Sequence, residues 1–123
     1  MFIEAKKRVG SCYFEFQYCK IDSPIKNNKV DVDIIQHWKY DSLLISDENF
    51  FVFYKLYADM FSCALLANGK ISFDFYGPNY YDSETAEKLL KRLIGVIDDE
   101  YNNLILWLEK AVKECNGFYI LGI

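Results

Sequence analysis

The sequence predicts an α+β fold: an antiparallel sheet of about five to seven strands, with one long or two shorter C-terminal amphipathic helices packed on one face and a short C-terminal strand. Three observations carry this. Period-two alternation recurs through the first two-thirds of the chain, and Asn68-Gly69 sits between two apolar runs as a hairpin turn does. From Ser83 onward the apolar period becomes helical. At 123 residues the chain reads as a single domain, 1–123, long enough to close a core without staples.

Residues 2–6 open a short strand. After Gly10, residues 11–21 alternate, with Tyr13, Glu15 and Gln17 on one face and Cys12, Phe14, Phe16 and Tyr18 on the other. Ser23-Pro24 and Lys26-Asn27-Asn28-Lys29 are turn chemistry. Val30, Asp31, Val32, Asp33 and Ile34 alternate cleanly and predict a strand. Residues 50–58 are apolar on nearly every side. Ser46 is suited to cap a helix there, with Asp47 and Glu48 in its first turn. The density of Phe, Val and Tyr favours instead a strand buried on both faces, and that is the reading preferred.

The hairpin around Asn68-Gly69 joins residues 62–66 to residues 71–75, and Gly77-Pro78-Asn79 is expected to end the second strand. Beyond it, Ala86, Leu89, Leu90, Leu93 and Ile97 make one helical stripe. Tyr101, Leu104, Ile105, Leu108, Ala111, Val112 and Cys115 make another. Asp82 or Ser83 can cap the start. Gly95 and the polar residues 98–103 interrupt continuity, so two helices are preferred to one. Asn116-Gly117 is a stop signal before a last buried strand, Phe118-Tyr119-Ile120-Leu121.

Composition narrows function. Ten Tyr, ten Phe and two Trp raise the aromatic share to 18%, about twice ordinary usage, and an AT-rich gene explains part of that excess. The net charge is −4, unevenly spread: residues 1–29 carry six basic and three acidic side chains, residues 30–123 eight basic and fifteen acidic. An acidic body repels nucleic acid and steers basic partners toward itself. Lys6-Lys7-Arg8, the one basic cluster, reads as a solvated strand end. Cys12, Cys19, Cys63 and Cys115 form no CxxC pair, and Met1-Phe2-Ile3-Glu4 meets charge at once, unlike a secretory leader. Buried, reduced thiols in a cytoplasmic protein are therefore expected, with no membrane-spanning segment.

Chemistry finds little footing. Asp31, Asp33 and His37 share parity on an extended strand and could converge on a cation or in acid–base work, but alternation alone already predicts polar residues there. A Cys–His nucleophile would need His37, the single histidine, and no phosphate-loop, dinucleotide or zinc spacing occurs. No catalytic, cofactor or metal residue is assigned, and no enzyme activity is expected. The cluster Phe75-Tyr76-Gly77-Pro78-Asn79-Tyr80-Tyr81-Asp82 is more informative, because Tyr offers interfaces a large rigid area with a polar tip. Core filling would use the same residues. Asp98-Asp99-Glu100 is a second acidic knot, either a solvated helix junction or a contact for a partner's Lys and Arg.

The assembled design resembles a bacterial immunity protein of the contact-dependent growth inhibition type, which neutralises a toxin encoded beside it. The stretches that prompt this are Ile71-Ser72-Phe73-Asp74-Phe75-Tyr76-Gly77, the helix at 104–113 and the terminal Gly117-Phe118-Tyr119-Ile120-Leu121-Gly122-Ile123. The resemblance covers overall design and no specific site. It implies an inhibitor whose partner is a basic toxin, for instance a nuclease domain. Read with the residues, it places partner binding at Tyr76, Tyr80, Tyr81, Asp82, Asp98, Asp99 and Glu100, with Asp31 and Asp33 in reserve. The competing reading is a small-molecule or carbohydrate-binding domain, enzymatic or not, with an aromatic-lined pocket. A third is a structural subunit docking through the apolar stretch 50–61.

Overall fold

In the computed structural model, residues 1–21, 30 and 35–122 are described. The expected strand at 30–34, with Asp31 and Asp33, and the turn at 23–29 lie outside those residues, apart from Val30, which is buried. Among the described residues seven strands form one sheet in the order β1-β3-β2-β7-β6-β4-β5. They are β1 (Phe2–Glu4), β2 (Tyr13–Tyr18), β3 (Leu43–Ser46), β4 (Ala64–Leu66), β5 (Ile71–Ser72), β6 (Pro78–Tyr81) and β7 (Phe118–Leu121). Every neighbouring pair is antiparallel. The last strand in the chain thus sits at the centre, between β2 and β6. The α+β class and the C-terminal strand are as expected.

Among the described residues four α-helices accompany the sheet: α1 (Asp47–Leu56), α2 (Ala58–Phe61), α3 (Ser83–Val96) and α4 (Asn102–Glu114). The strand expected at 50–58 is therefore a helix. Ser46 Oγ accepts from Asn49 N–H at 3.4 Å, and Asp47 and Glu48 face the positive helix end. Phe50, Phe53, Tyr57 and Phe61 are buried at spacings of three and four, while Phe51, Val52 and Leu56 stay exposed. Exposed apolar residues on the outer face hid that periodicity.

Helix packing defines the main core. Phe14, Phe16, Leu43, Ile45, Phe118 and Ile120 present one sheet face to residues of all four helices, among them Phe50, Phe61, Leu89, Leu93, Leu104 and Leu108. Phe14 stacks on Phe50 with ring centroids 4.0 Å apart, and Tyr18 stacks on Trp107 at 4.1 Å. Each such large side chain contributes about 1.5–3 kcal/mol by leaving water. The opposite sheet face is also partly covered. Cys19, Val30, Tyr80, Tyr119 and Leu121 form a second cluster, flanked by Ile21, Ile35 and Leu65.

Local signals govern the connections. Gly69 N–H donates to Leu66 O at 3.0 Å and Leu66 N–H to Lys70 O at 2.9 Å, closing a three-residue loop with Gly69 at φ 86°. The second strand of that hairpin stops at Ser72, short of the expected residue 75. Gly77-Pro78 does not end a strand; Pro78 opens β6 opposite Leu121, at the first strand position, where a missing N–H costs least. Asp82 caps α3 by accepting from Thr85 N–H at 2.8 Å. Two helices follow, as preferred, because the chain turns left-handed at Ile97 before a 3-10 turn at Asp99–Tyr101. Gly117 has φ 84°, and a Cβ there would meet Tyr81 O at 2.0 Å, so only glycine fits this entry to β7.

Candidate functional site

The α3–α4 junction gathers charge and apolar surface. Ile97 has φ 56°, a conformation costly for a β-branched residue, and is 89% exposed. Ile94 and Val96 beside it are exposed too, as is Leu56 across a groove of 500 Å³ that Tyr57, Arg92, Gly95 and Tyr101 also line. Ile97 was expected on the buried stripe; α3 ends one residue earlier and turns it outward. Asp98, Asp99 and Glu100 follow, all exposed, with Asp98 Oδ1 taking Glu100 N–H at 3.0 Å. Also from α3, Arg92 Nη1 donates to Asp59 Oδ1 and Oδ2, on α2, at 3.0 and 2.8 Å, and its guanidinium lies 4.8 Å from the Tyr57 ring centre. Hydrogen bonding to Arg92 holds the Asp59 carboxyl below its usual range. Burial, then the neighbouring Tyr57, pushes the Tyr101 phenol up to about 12, with Asp98 and Glu100 adding to it.

The tyrosine cluster does not form one exposed face. Tyr76 is 85% exposed, but Tyr80 and Tyr81 are buried on opposite faces of β6. Tyr80 donates to Asn116 O at 2.6 Å and Tyr81 to Phe61 O at 2.7 Å, so these two serve packing and are removed as surface anchors. Asp82 is spent on capping α3, although it remains exposed. Tyr76 itself rides on a well-tied loop. Buried Asn79 accepts from Asp74 N–H at 2.8 Å and donates to Asp74 O, Gly77 O and Ile120 O, while Tyr76 N–H donates to Asp74 Oδ1 at 2.9 Å. Tyr76 lines a cavity of 180 Å³ with His37, Pro78 and Gly122. Tyr76 and the acidic knot thus belong to separate surroundings.

Sequence reasoning missed Glu15. Parity put it on one strand face with Tyr13 and Gln17 and gave it no role, yet it is 0% exposed because residues 36–42 fold over it. Its Oε2 accepts from Gln17 Nε2 at 2.9 Å, Lys39 N–H at 2.9 Å and Ser42 Oγ at 2.5 Å. Its Oε1 lies 2.6 Å from His37 Nδ1. Glu15 thus accepts from three donors and holds the imidazole by Nδ1, leaving Nε2 as the other ring nitrogen. Gln17 Nε2 also donates to Gln36 O at 2.6 Å. The arrangement fastens a loop to the sheet and orients one histidine; Ser42, the hydroxyl within it, is itself bonded to Glu15. Sequence reasoning had paired His37 with Asp31 and Asp33, which lie outside the described residues.

The thiols also differ from expectation. Cys19 is buried, but Cys12 and Cys63 are exposed and Cys115 is half-buried, none of them in a disulfide. Among the described residues no group of three or more His, Cys, Asp or Glu is placed to hold a metal ion, and no helix is long and apolar enough to cross a membrane. No protein-family model matches the chain, and no curated protein or solved structure matches it.

Proposed function

We propose that this chain is an immunity protein of the contact-dependent growth inhibition kind, which binds a basic toxin domain and neutralises it. One observation carries the reading: the α3–α4 junction holds Ile94, Val96 and Ile97 in solvent directly beside Asp98, Asp99 and Glu100. Apolar anchors beside a run of three carboxylates suit a protein partner of opposite sign. The anchors supply burial, while the carboxylates speed encounter and set orientation. The strain at Ile97 supports this, because a glycine or asparagine there would relieve it without loss of packing. The net charge of −4 favours the same partner class. Tyr76 is a second candidate contact on its own loop.

The reading is tested by co-expressing the chain with the product of the adjacent gene and measuring growth and association rate. Protection is expected, with association that slows as salt rises. Replacing Asp98, Asp99 and Glu100 by Lys should slow association by at least about tenfold and flatten that salt dependence. Absence of protection together with absence of binding would sink the proposal.

A further inference from the structure

A second site lies on different elements, in the layer that covers the sheet face away from the helices. Between β2, β7 and residues 35–41 is a cavity of 360 Å³, within the size range of small-molecule sites. Its walls include Tyr119, Ile21 and Ile35, part of the second apolar cluster. Tyr40 lies at this cavity and is 88% exposed, a large ring left in water beside a concave surface. The charges along the same lining are Lys20, Lys39 and Asp41. Asp41 Oδ2 is taken by Lys20 Nζ at 2.5 Å, and Lys20 Nζ lies 5.4 Å from the Tyr40 ring centre. That hydrogen bond raises the Lys20 pKa and keeps its ammonium charged. Lys39 makes no ion pair with any described residue, so among the described lining residues one positive charge is left over.

The site is held in shape before any ligand arrives. Lys39 N–H is bonded to Glu15, Gln36 O to Gln17, and Asp41 O to Trp107 Nε1 at 2.9 Å. A wall tied at three successive points has little ordering entropy left to lose on binding. Flat aromatic and aliphatic walls select a planar apolar body, and the surplus ammonium selects a negative group on it.

We infer that this cavity binds a small planar anion, an aromatic ring bearing one carboxylate or phosphate. The inference goes beyond toxin binding, and its test needs no partner protein. The intact isotope-labelled chain is titrated with phenyl phosphate, benzoate and the neutral benzyl alcohol while amide shifts are followed. Saturable shifts at Lys20, Lys39, Tyr40 and Tyr119 are expected with at least one of the anions, and binding of benzyl alcohol at least about tenfold weaker. Lys39→Gln and Tyr40→Ala alter exposed side chains, so both should fold and each should weaken anion binding several-fold. Lys88→Gln, on α3, should leave it unchanged. The inference is overturned by no saturable shift at millimolar anion, by equal binding of the alcohol, or by indifference to both Lys39→Gln and Tyr40→Ala.

Discussion

Glu15 Oε1 and His37 Nδ1 lie 2.6 Å apart, joining a wholly buried carboxylate on the sheet to an imidazole at the surface. The other Glu15 oxygen holds Gln17, Lys39 and Ser42. Removing the carboxylate would strand several donors at once, which costs far more than any one net hydrogen bond. Glu15→Ala should therefore destabilise by about 3 kcal/mol. His37→Ala, which leaves the other three contacts in place, should cost about 1 kcal/mol. Denaturant midpoints measure both. Amide exchange at Lys39 should accelerate in Glu15→Ala more than exchange in α3 does. Equal costs for the two variants would show that the clamp is not centred on Glu15.

Under the proposed toxin binding, Ile97 sets stability against affinity. At φ 56° the side chain is strained by about 1–2 kcal/mol. It is exposed, so little packing is lost on truncation. Ile97→Gly should raise stability by about 1 kcal/mol even after the added backbone entropy of glycine. If the junction meets the toxin, the same variant should weaken the complex, because an anchor has gone. Thermal unfolding and partner affinity, measured on one preparation, should move in opposite directions. A variant that is more stable and binds as well as the parent would remove Ile97 from the proposed interface.

Local chemistry was legible in the sequence, and long-range covering was not. Asn68-Gly69, Asp82 and Asn116-Gly117 act through neighbours a few residues away, so each kept its meaning in the fold. The helix at Asp47–Leu56 was misread although Ser46 signalled it, because Phe51, Val52 and Leu56 fill its exposed face with residues that usually mark a buried strand. The burial of Glu15 was hidden for another reason. Parity says which residues share a sheet face, not whether a loop some twenty residues on will cover it. The acidic knot was visible as charge. Its apolar companion was not, since the stripe containing Ile97 continues on paper past the point where the helix ends.

The thiols provide a graded test of burial. Cys12 and Cys63 are exposed, Cys115 is half-buried with its thiol pushed up by burial, and Cys19 is enclosed, its Sγ donating to the Tyr119 hydroxyl at 3.3 Å. Thiolate fraction and access set reactivity. With a disulfide reagent under native conditions, Cys12 and Cys63 should react first, Cys115 more slowly, and Cys19 only on unfolding. Peptide mapping of the modified chain reads the order directly. Early labelling of Cys19 would contradict the packing of the second cluster.

Alkaline pH should unfold the protein through its enclosed phenols. Burial raises Tyr81 well above its ordinary value of 10.0, raises Tyr18, and raises Tyr101 to about 12. Below the unfolded value these phenols are neutral in both states, and their contribution to stability is complete. Above it the unfolded chain releases protons that the folded chain keeps, so ν for the unfolded state is the smaller and stability falls with rising pH. The decline should begin near pH 10 and continue past the Tyr101 value of about 12, steepened by Tyr81. Phenolate absorbance and circular dichroism, recorded together, should show part of the ten-tyrosine signal appearing only as helix content is lost. Tyr101→Phe should shift that late transition upward, because it removes one group whose ionisation favours the unfolded chain. If all the tyrosines titrate in one step while the helices persist, the enclosed phenols are not coupled to the fold.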